Sequence, residues 1–186
     1  MTEWITSGSW SFDESAKQRM EAVKNCVIGP DVLSVGSRDG TFELTLAREH
    51  PDWKVVGIDI DLKSVDYANS KAIELGIPNA TFFQVSIFDT FGVTTLGTFS
   101  TVVCMETLEH IPQERQQEAN NMLGRYLKER GRIIITVPAS SHISDEGHVS
   151  MFYREQFHSH VTWIPDMPFL WLGFYKDFGV NDKPEG

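Results

Sequence analysis

The chain has 186 residues, 41% hydrophobic and 23% charged, which suffices for one sizeable α/β core and is too little for two domains. A formal charge of −10 and a pI near 5.0 argue against a general nucleic-acid binder, which carries a basic face. No apolar run approaches a membrane span, Met1 to Trp10 lacks the basic start and apolar core of a signal peptide, and Cys26 and Cys104 sit among apolar neighbours as reduced thiols do, so a cytoplasmic location is expected.

In chain order, Ser11 to Glu14 fits a capping box, and Phe12, Ala16, Met20, Val23 and Val27 recur at helical spacing, predicting a helix from about 13 to 26. Val32, Leu33 and Val35 form a short apolar run of the kind found in strands buried on both faces. Gly36 and Gly40 bracket the polar turn Gly36-Ser37-Arg38-Asp39-Gly40, and Phe42, Leu44, Leu46 and Ala47 open a helix over 41–50 that Pro51 stops. A strand running through a glycine turn into a helix N-terminus exposes unpaired N–H groups to which a nucleotide can bind. The spacing is G-x-x-x-G, with Arg38 where the dinucleotide fingerprint wants its second glycine, so a tight turn without ligand is an equal reading at this point.

The run 54–61 predicts a second buried strand ending in acid. In an open parallel sheet this places Asp59 at the carboxyl edge of the neighbouring strand, where it can accept both hydroxyls of a ribose, while Asp61 caps the next helix. That helix is marked by Leu62, Val65, Ala68, Ala72 and Leu75 and closed by Gly76 and Pro78. Strands are predicted over 81–85 and 101–105, followed by Glu106-Thr107-Leu108-Glu109-His110-Ile111-Pro112.

The first glycine turn and the segment Met105 to Ile111 together resemble the class I S-adenosylmethionine-dependent methyltransferases, specifically the small-molecule branch whose first motif reads V-L-D-x-G-C-G-x-G and whose fourth strand is followed by E-x-L-E-H-I/V. The resemblance spans about 31 to 157. It implies S-adenosylmethionine as cofactor, S-adenosylhomocysteine as product, and contacts assigned by position. Gly36, Ser37 and Gly40 would pass close to the methionyl part, Asp59 would hold the ribose, and Ile60 would pack on adenine. Ser86 and Ile87 would meet the adenine edge, and Met105 and Glu106 would lie beside the sulfonium. Three positions depart from the family pattern. Ser34 stands where an acid orders the amino-acid end of the cofactor, Arg38 replaces the central glycine, and Ser86 replaces the acid that meets the adenine amino group. All three stay among the expected cofactor contacts, since serine still hydrogen-bonds and Arg38 either reaches a carboxylate or points to solvent.

Beyond the signature, Ala119, Met122, Leu123, Tyr126 and Leu127 predict a helix starting at Pro112 as N1 and ending at Gly131, and 132–138 is a strongly strand-like run. Five strands alternating with helices predict an α/β fold with a doubly wound, mostly parallel sheet. Tyr153 to His158 reads as a one-turn helix, and the apolar runs 160–164 and 169–175 around Pro165 to Pro168 predict a terminal antiparallel hairpin. The chain thus reads as one domain: a helical lid over 1–28, a cofactor-binding core over 29–138, and a loop with antiparallel strands over 139–186. For Trp4 and Trp10, packing is preferred over a place in the lid. The aromatics Trp163, Phe169, Trp171, Phe174 and Tyr175 are read first as core, with a substrate pocket or homodimer contact as alternatives.

Candidate bases are His148, in a G-H-V segment like the family's at the active-site mouth, and His110, which also suits a turn-orienting role. His158 and His160 match no closed metal pattern, so no metal is expected. The reading is a methyltransferase acting on an O, N or C atom of a small-molecule acceptor, without a nucleic-acid or membrane partner. A catalytically degenerate cofactor-binding or scaffolding module and, behind it, a nicotinamide-dependent oxidoreductase are the alternatives.

Overall fold

The structure is a computed structural model that describes residues 3–6, 14–138, 161–163 and 169–175. The elements are α1 (Glu14–Lys24), β1 (Asp31–Val35), α2 (Thr41–Glu49), β2 (Lys54–Asp59), α3 (Leu62–Glu74), β3 (Ala80–Gln84), α4 (Thr90–Leu96), β4 (Phe99–Met105), α5 (Gln116–Arg125), β5 (Leu127–Pro138), β6 (Val161–Trp163) and β7 (Phe169–Tyr175). Strand order is β3-β2-β1-β4-β5-β7-β6. The first five strands pair in parallel, while β7 runs antiparallel to β5 and β6 antiparallel to β7.

Parallel strands need long crossovers, and here helices cover both faces of the sheet. On one side Met20 and Val23 of α1, Phe42, Leu44 and Leu46 of α2, and Val65, Ala68 and Ala72 of α3 pack on Val32, Val55, Phe82 and Val103. On the other, Ala119, Met122 and Leu123 of α5, with Val93 and Leu96 of α4, pack on Leu33, Val56, Val102 and Ile135. Because the chain builds β1, β2 and β3 outward and then returns to lay β4 on the far side of β1, the turns leaving β1 and β4 flank a topological switch point.

Several boundaries differ from the sequence expectations. The strand over 54–61 stops at Asp59, and Asp61 caps α3 as expected, accepting from the backbone N–H groups of Lys63 and Ser64. The helix expected from Pro112 to Gly131 is overturned at both ends. Pro112 lies at ψ 140°, ahead of a 3-10 turn over Gln113–Arg115, and α5 begins only at Gln116. It ends at Arg125 with Tyr126 as its C-cap, and Leu127, although at helical spacing, is the residue that starts β5. Leu127 pairs with Phe99, after which a bulge around Arg130 (φ 61°) resets the register to Thr101–Arg132. The sequence reading missed α4 entirely: Thr-Phe-Gly-Val-Thr-Thr-Leu contains glycine and β-branched residues with poor helix propensity, and packing holds it. The capping serine, Trp10, the helix at 153–158 and His148 lie outside the described residues.

Trp4 stacks on Phe42 with ring centroids 6.4 Å apart, as the packing reading expected. Among the described residues no helix is long and apolar enough to cross a membrane.

The α2–β2 connection depends on one side chain. Asn79 Nδ2 donates to the carbonyls of Ala47, His50 and Trp53 at 3.0, 3.1 and 3.1 Å. Removing the amide leaves partly buried carbonyls without a donor. Asn79→Ala is expected to cost about 2 kcal/mol in urea unfolding, and Asn79→Asp at least as much, because a carboxylate would face three acceptors.

Candidate functional site

The turn leaving β1 adopts the left-handed region at three alternate positions: Gly36 (φ 76°), Arg38 (φ 48°) and Gly40 (φ 77°). Its beginning is tied down by N–H bonds from Gly36 and Ser37 to the Ile58 carbonyl at 2.8 and 3.1 Å. At its end Asp39 accepts from both the backbone N–H and the hydroxyl of Thr41, at 3.3 and 3.0 Å, and so starts α2. Gly36 has a second reason to be glycine, since a Cβ there would lie 2.2 Å from Thr107 Oγ1. Thr107 donates to the Met105 carbonyl at 2.9 Å and lies 3.3 Å from that of Val35, joining the ends of β1 and β4.

Asp59, half-buried at the end of β2, faces this turn. Its Oδ2 accepts the Arg38 N–H at 2.8 Å and its Oδ1 the Asp61 N–H at 2.9 Å. The Arg38 backbone is therefore part of the site wherever its guanidinium goes. Ile60 follows with its side chain 72% exposed, an apolar surface beside the turn.

The other expected residues divide by position. Ser34 is buried at the floor of the turn, and the Ser37 hydroxyl is buried without a hydrogen-bond partner. Ser86 Oγ accepts the Phe88 N–H at 3.2 Å in a local turn after β3. Ile87 points into the core, so only its backbone is available at that edge. Met105 is partly buried at the end of β4. Glu106 takes φ 45°; its Oε1 accepts from Thr136 Oγ1 at 2.8 Å and its Oε2 lies 3.4 Å from Arg19. α1 thus reaches over the same sheet edge. His110 is exposed at the end of the 3-10 turn Leu108–His110 and donates its backbone N–H to the Thr107 carbonyl.

Two buried carboxyls were not singled out from sequence. Glu43 on α2 is 1% exposed, hydrogen-bonds the Ser34 hydroxyl, and leaves Oε2 without a partner. Burial first, then the charges of Asp39 and Asp59, push it up to about 7 against the opposing pull of Ser34. Glu109 is also 1% exposed, with both oxygens unpartnered, and burial followed by the Glu106 charge pushes it up to about 8. Periodicity could not reveal Glu43, because residues 41–47 of α2 are buried on every side. Among the described residues no group of three His, Cys, Asp or Glu could hold a metal. A cavity of about 380 Å³ lined by Val56, Phe83, Val85 and Leu96 shares no residue with the turn.

The profile of the methyltransferase-domain family matches residues 32–131. The ubiquinone biosynthesis O-methyltransferase of Paracidovorax citrulli (strain AAC00-1) is 37% identical over 84 residues, 45% of this chain and 34% of that protein. A tRNA (guanine-N(7)-)-methyltransferase of Synechococcus sp. (strain JA-3-3Ab) is 40% identical over 55 residues, 30% of this chain and 23% of that protein. The matched segments therefore span about a quarter to a third of these curated relatives. Magnesium protoporphyrin IX methyltransferase from Synechocystis PCC 6803, solved with bound SAH, superposes with a TM-score of 0.67 at 19% identity, covering 87% of this chain and 83% of that one. The chain belongs to the methyltransferase-domain family, and its parallel α/β sheet is the Rossmann-like fold of the class I S-adenosylmethionine-dependent methyltransferases.

Two predictions follow from this geometry. Gly36→Ala forces a Cβ into Thr107 at a left-handed φ and is expected to destabilise the fold by about 2 kcal/mol or more in urea unfolding. Glu43 has a folded pKa raised above its unfolded value, so its contribution to stability is complete below the ordinary glutamate value and lost as pH rises through about 7. The Glu43→Gln variant should gain on wild type by roughly 3 kcal/mol between pH 4.5 and 8, read as the divergence of their unfolding free energies. Parallel curves would refute the burial of this carboxyl.

Proposed function

We propose that this chain binds S-adenosylmethionine at the carboxyl edge of β1, β2 and β4 and transfers its methyl group to an O, N or C atom of a small-molecule acceptor. The observation that carries this reading is the left-handed turn Gly36–Gly40 locked to the Asp59 carboxylate at the switch point of the sheet. The residues fit the cofactor: buried Ser37 and Glu43 oxygens without partners lie at the turn, and the exposed Ile60 offers an apolar surface for a purine. Gly36 admits no side chain where the backbone must approach a ligand.

The bound nucleotide supplies an electrophilic methyl on a sulfonium, so the protein has no donor to activate. Its own residues position and exclude water. Asp59 keeps lone pairs beyond the two N–H bonds it accepts, and these would receive the ribose hydroxyls. Ile60 would pack on the adenine, Ser86 and the Ile87 backbone would meet its edge, and Met105 and Glu106 would flank the sulfonium side. His148 is the proposed acceptor base, and His110, exposed at its turn, the second candidate. An acidic chain disfavours polyanionic acceptors, which supports a small molecule over the tRNA of the guanine-N(7) relative.

A second reading, a cofactor-binding module without catalysis, draws on Ser34, Arg38 and Ser86. Calorimetric titration separates both readings from a nicotinamide enzyme, and methyl transfer from labelled S-adenosylmethionine to an acceptor separates them from each other. Micromolar binding of S-adenosylmethionine and S-adenosylhomocysteine with none of NAD is expected. Failure of the folded protein to bind either sulfur nucleotide would sink the reading. Asp59→Ala should weaken S-adenosylhomocysteine binding by about tenfold to a hundredfold, as loss of hydrogen bonds to a charged acceptor does. Turnover by His148→Ala at the wild-type rate would remove that residue as base.

A further inference from the structure

We infer that Glu43 supplies the carboxylate that meets the amino-acid ammonium of S-adenosylmethionine, in place of the acid that the family pattern puts at position 34. The inference rests on the cofactor reading above and concerns one end of that ligand. Ser34 is the penultimate residue of β1, just ahead of the turn, and the family resemblance assigns this position an acid that orders the methionyl end. The chain has no carboxylate there, yet it has one beside it. α2 starts immediately after Gly40, and its third residue, Glu43, turns inward onto the Ser34 hydroxyl. The Ser34 hydroxyl donates to the Glu43 carboxylate and so orients it, leaving Oε2 as a buried acceptor without a partner.

A buried carboxylate lacking a partner is costly unless a cation or donor completes it. Among the described groups that act on Glu43, the neighbouring charges are Asp39 and Asp59, both acidic. Asp39 is occupied by Thr41, and Asp59 by the N–H groups of Arg38 and Asp61. The surroundings therefore hold excess negative charge under a turn that already presents backbone to a ligand. A primary ammonium answers both needs: it offers three donors and a positive charge. Ser34 and Glu43 are also mutually consistent, because an aspartate at 34 beside Glu43 would confine two like charges in one buried space.

The test uses the whole chain and reads binding alone. Wild type, Glu43→Gln and the swap Ser34→Asp/Glu43→Gln are titrated calorimetrically with S-adenosylhomocysteine and with 5′-methylthioadenosine, which lacks the amino-acid end. Glu43→Gln is expected to lose about tenfold or more on S-adenosylhomocysteine and less than twofold on 5′-methylthioadenosine. The swap is expected to recover most of that loss. Unchanged S-adenosylhomocysteine affinity in Glu43→Gln, or equal losses on both ligands, overturns the inference. A wild type that binds neither ligand overturns the cofactor reading itself, so the two failures are distinct.

Discussion

The bond between the Arg38 N–H and Asp59 Oδ2 is the contact on which the site depends. It joins the turn after β1 to the end of β2, and it holds a non-glycine residue at φ 48°, a region that costs roughly 1 kcal/mol or more for an L side chain. The bond offsets that cost, and the cost explains why the neighbouring positions are glycines. With Gly36 pressed against Thr107 and Gly40 at the helix start, the turn has few other conformations open to it. Arg38 at the central position therefore changes what the turn's side chain can reach more than it changes the path of the backbone.

Asp59 ties the turn to the strand end and keeps acceptor capacity in the same two oxygens. A carboxylate has roughly four acceptor positions, and two are used by Arg38 and Asp61. The same economy appears at Asp61, whose side chain caps α3 through Lys63 and Ser64 and also accepts the Ser64 hydroxyl at 2.7 Å. The division of labour between the two acids is physical: the one at the strand end faces the switch point, and the one a step further faces a helix N-terminus whose N–H groups need acceptors.

The sequence carried this much because its signals were local. Glycines at 36 and 40, an acid after an apolar run, and a glycine-proline stop at Gly76 and Pro78 each act within one turn of chain. What it did not carry was decided by partners distant in sequence. Tyr126 and Leu127 continue the helical spacing of Ala119, Met122 and Leu123, yet the helix is capped at Tyr126 and Leu127 starts β5, because it pairs with Phe99. The helix α4 has no periodic signal and exists because Val93 and Leu96 find a core to cover. Thr107 falls at the unspecified position of the E-x-L-E-H-I/V segment, and its role against Gly36 appears only when β1 and β4 lie side by side. Glu43 was hidden most thoroughly, between Phe42 and Leu44 in a helix buried all round.

The two buried carboxyls look alike in isolation, and their surroundings set them apart. Glu109 lies next to Cys104, deep beside the aliphatic core, and both its oxygens lack partners. Its near neighbour Glu106 takes Thr136 and Arg19 for itself, so Glu109 receives little of that positive charge and is protonated at neutral pH. It behaves as a neutral polar group held in the core. Glu43 has one oxygen already oriented by a hydroxyl and the other unpartnered at a turn that presents backbone at the sheet's switch point. A buried carboxyl with one oxygen held by a donor and the other without one is raised by desolvation, and a cation beside it would favour its charged form. Burial raises both groups, but only Glu43 also has a hydroxyl, that of Ser34, pulling the other way.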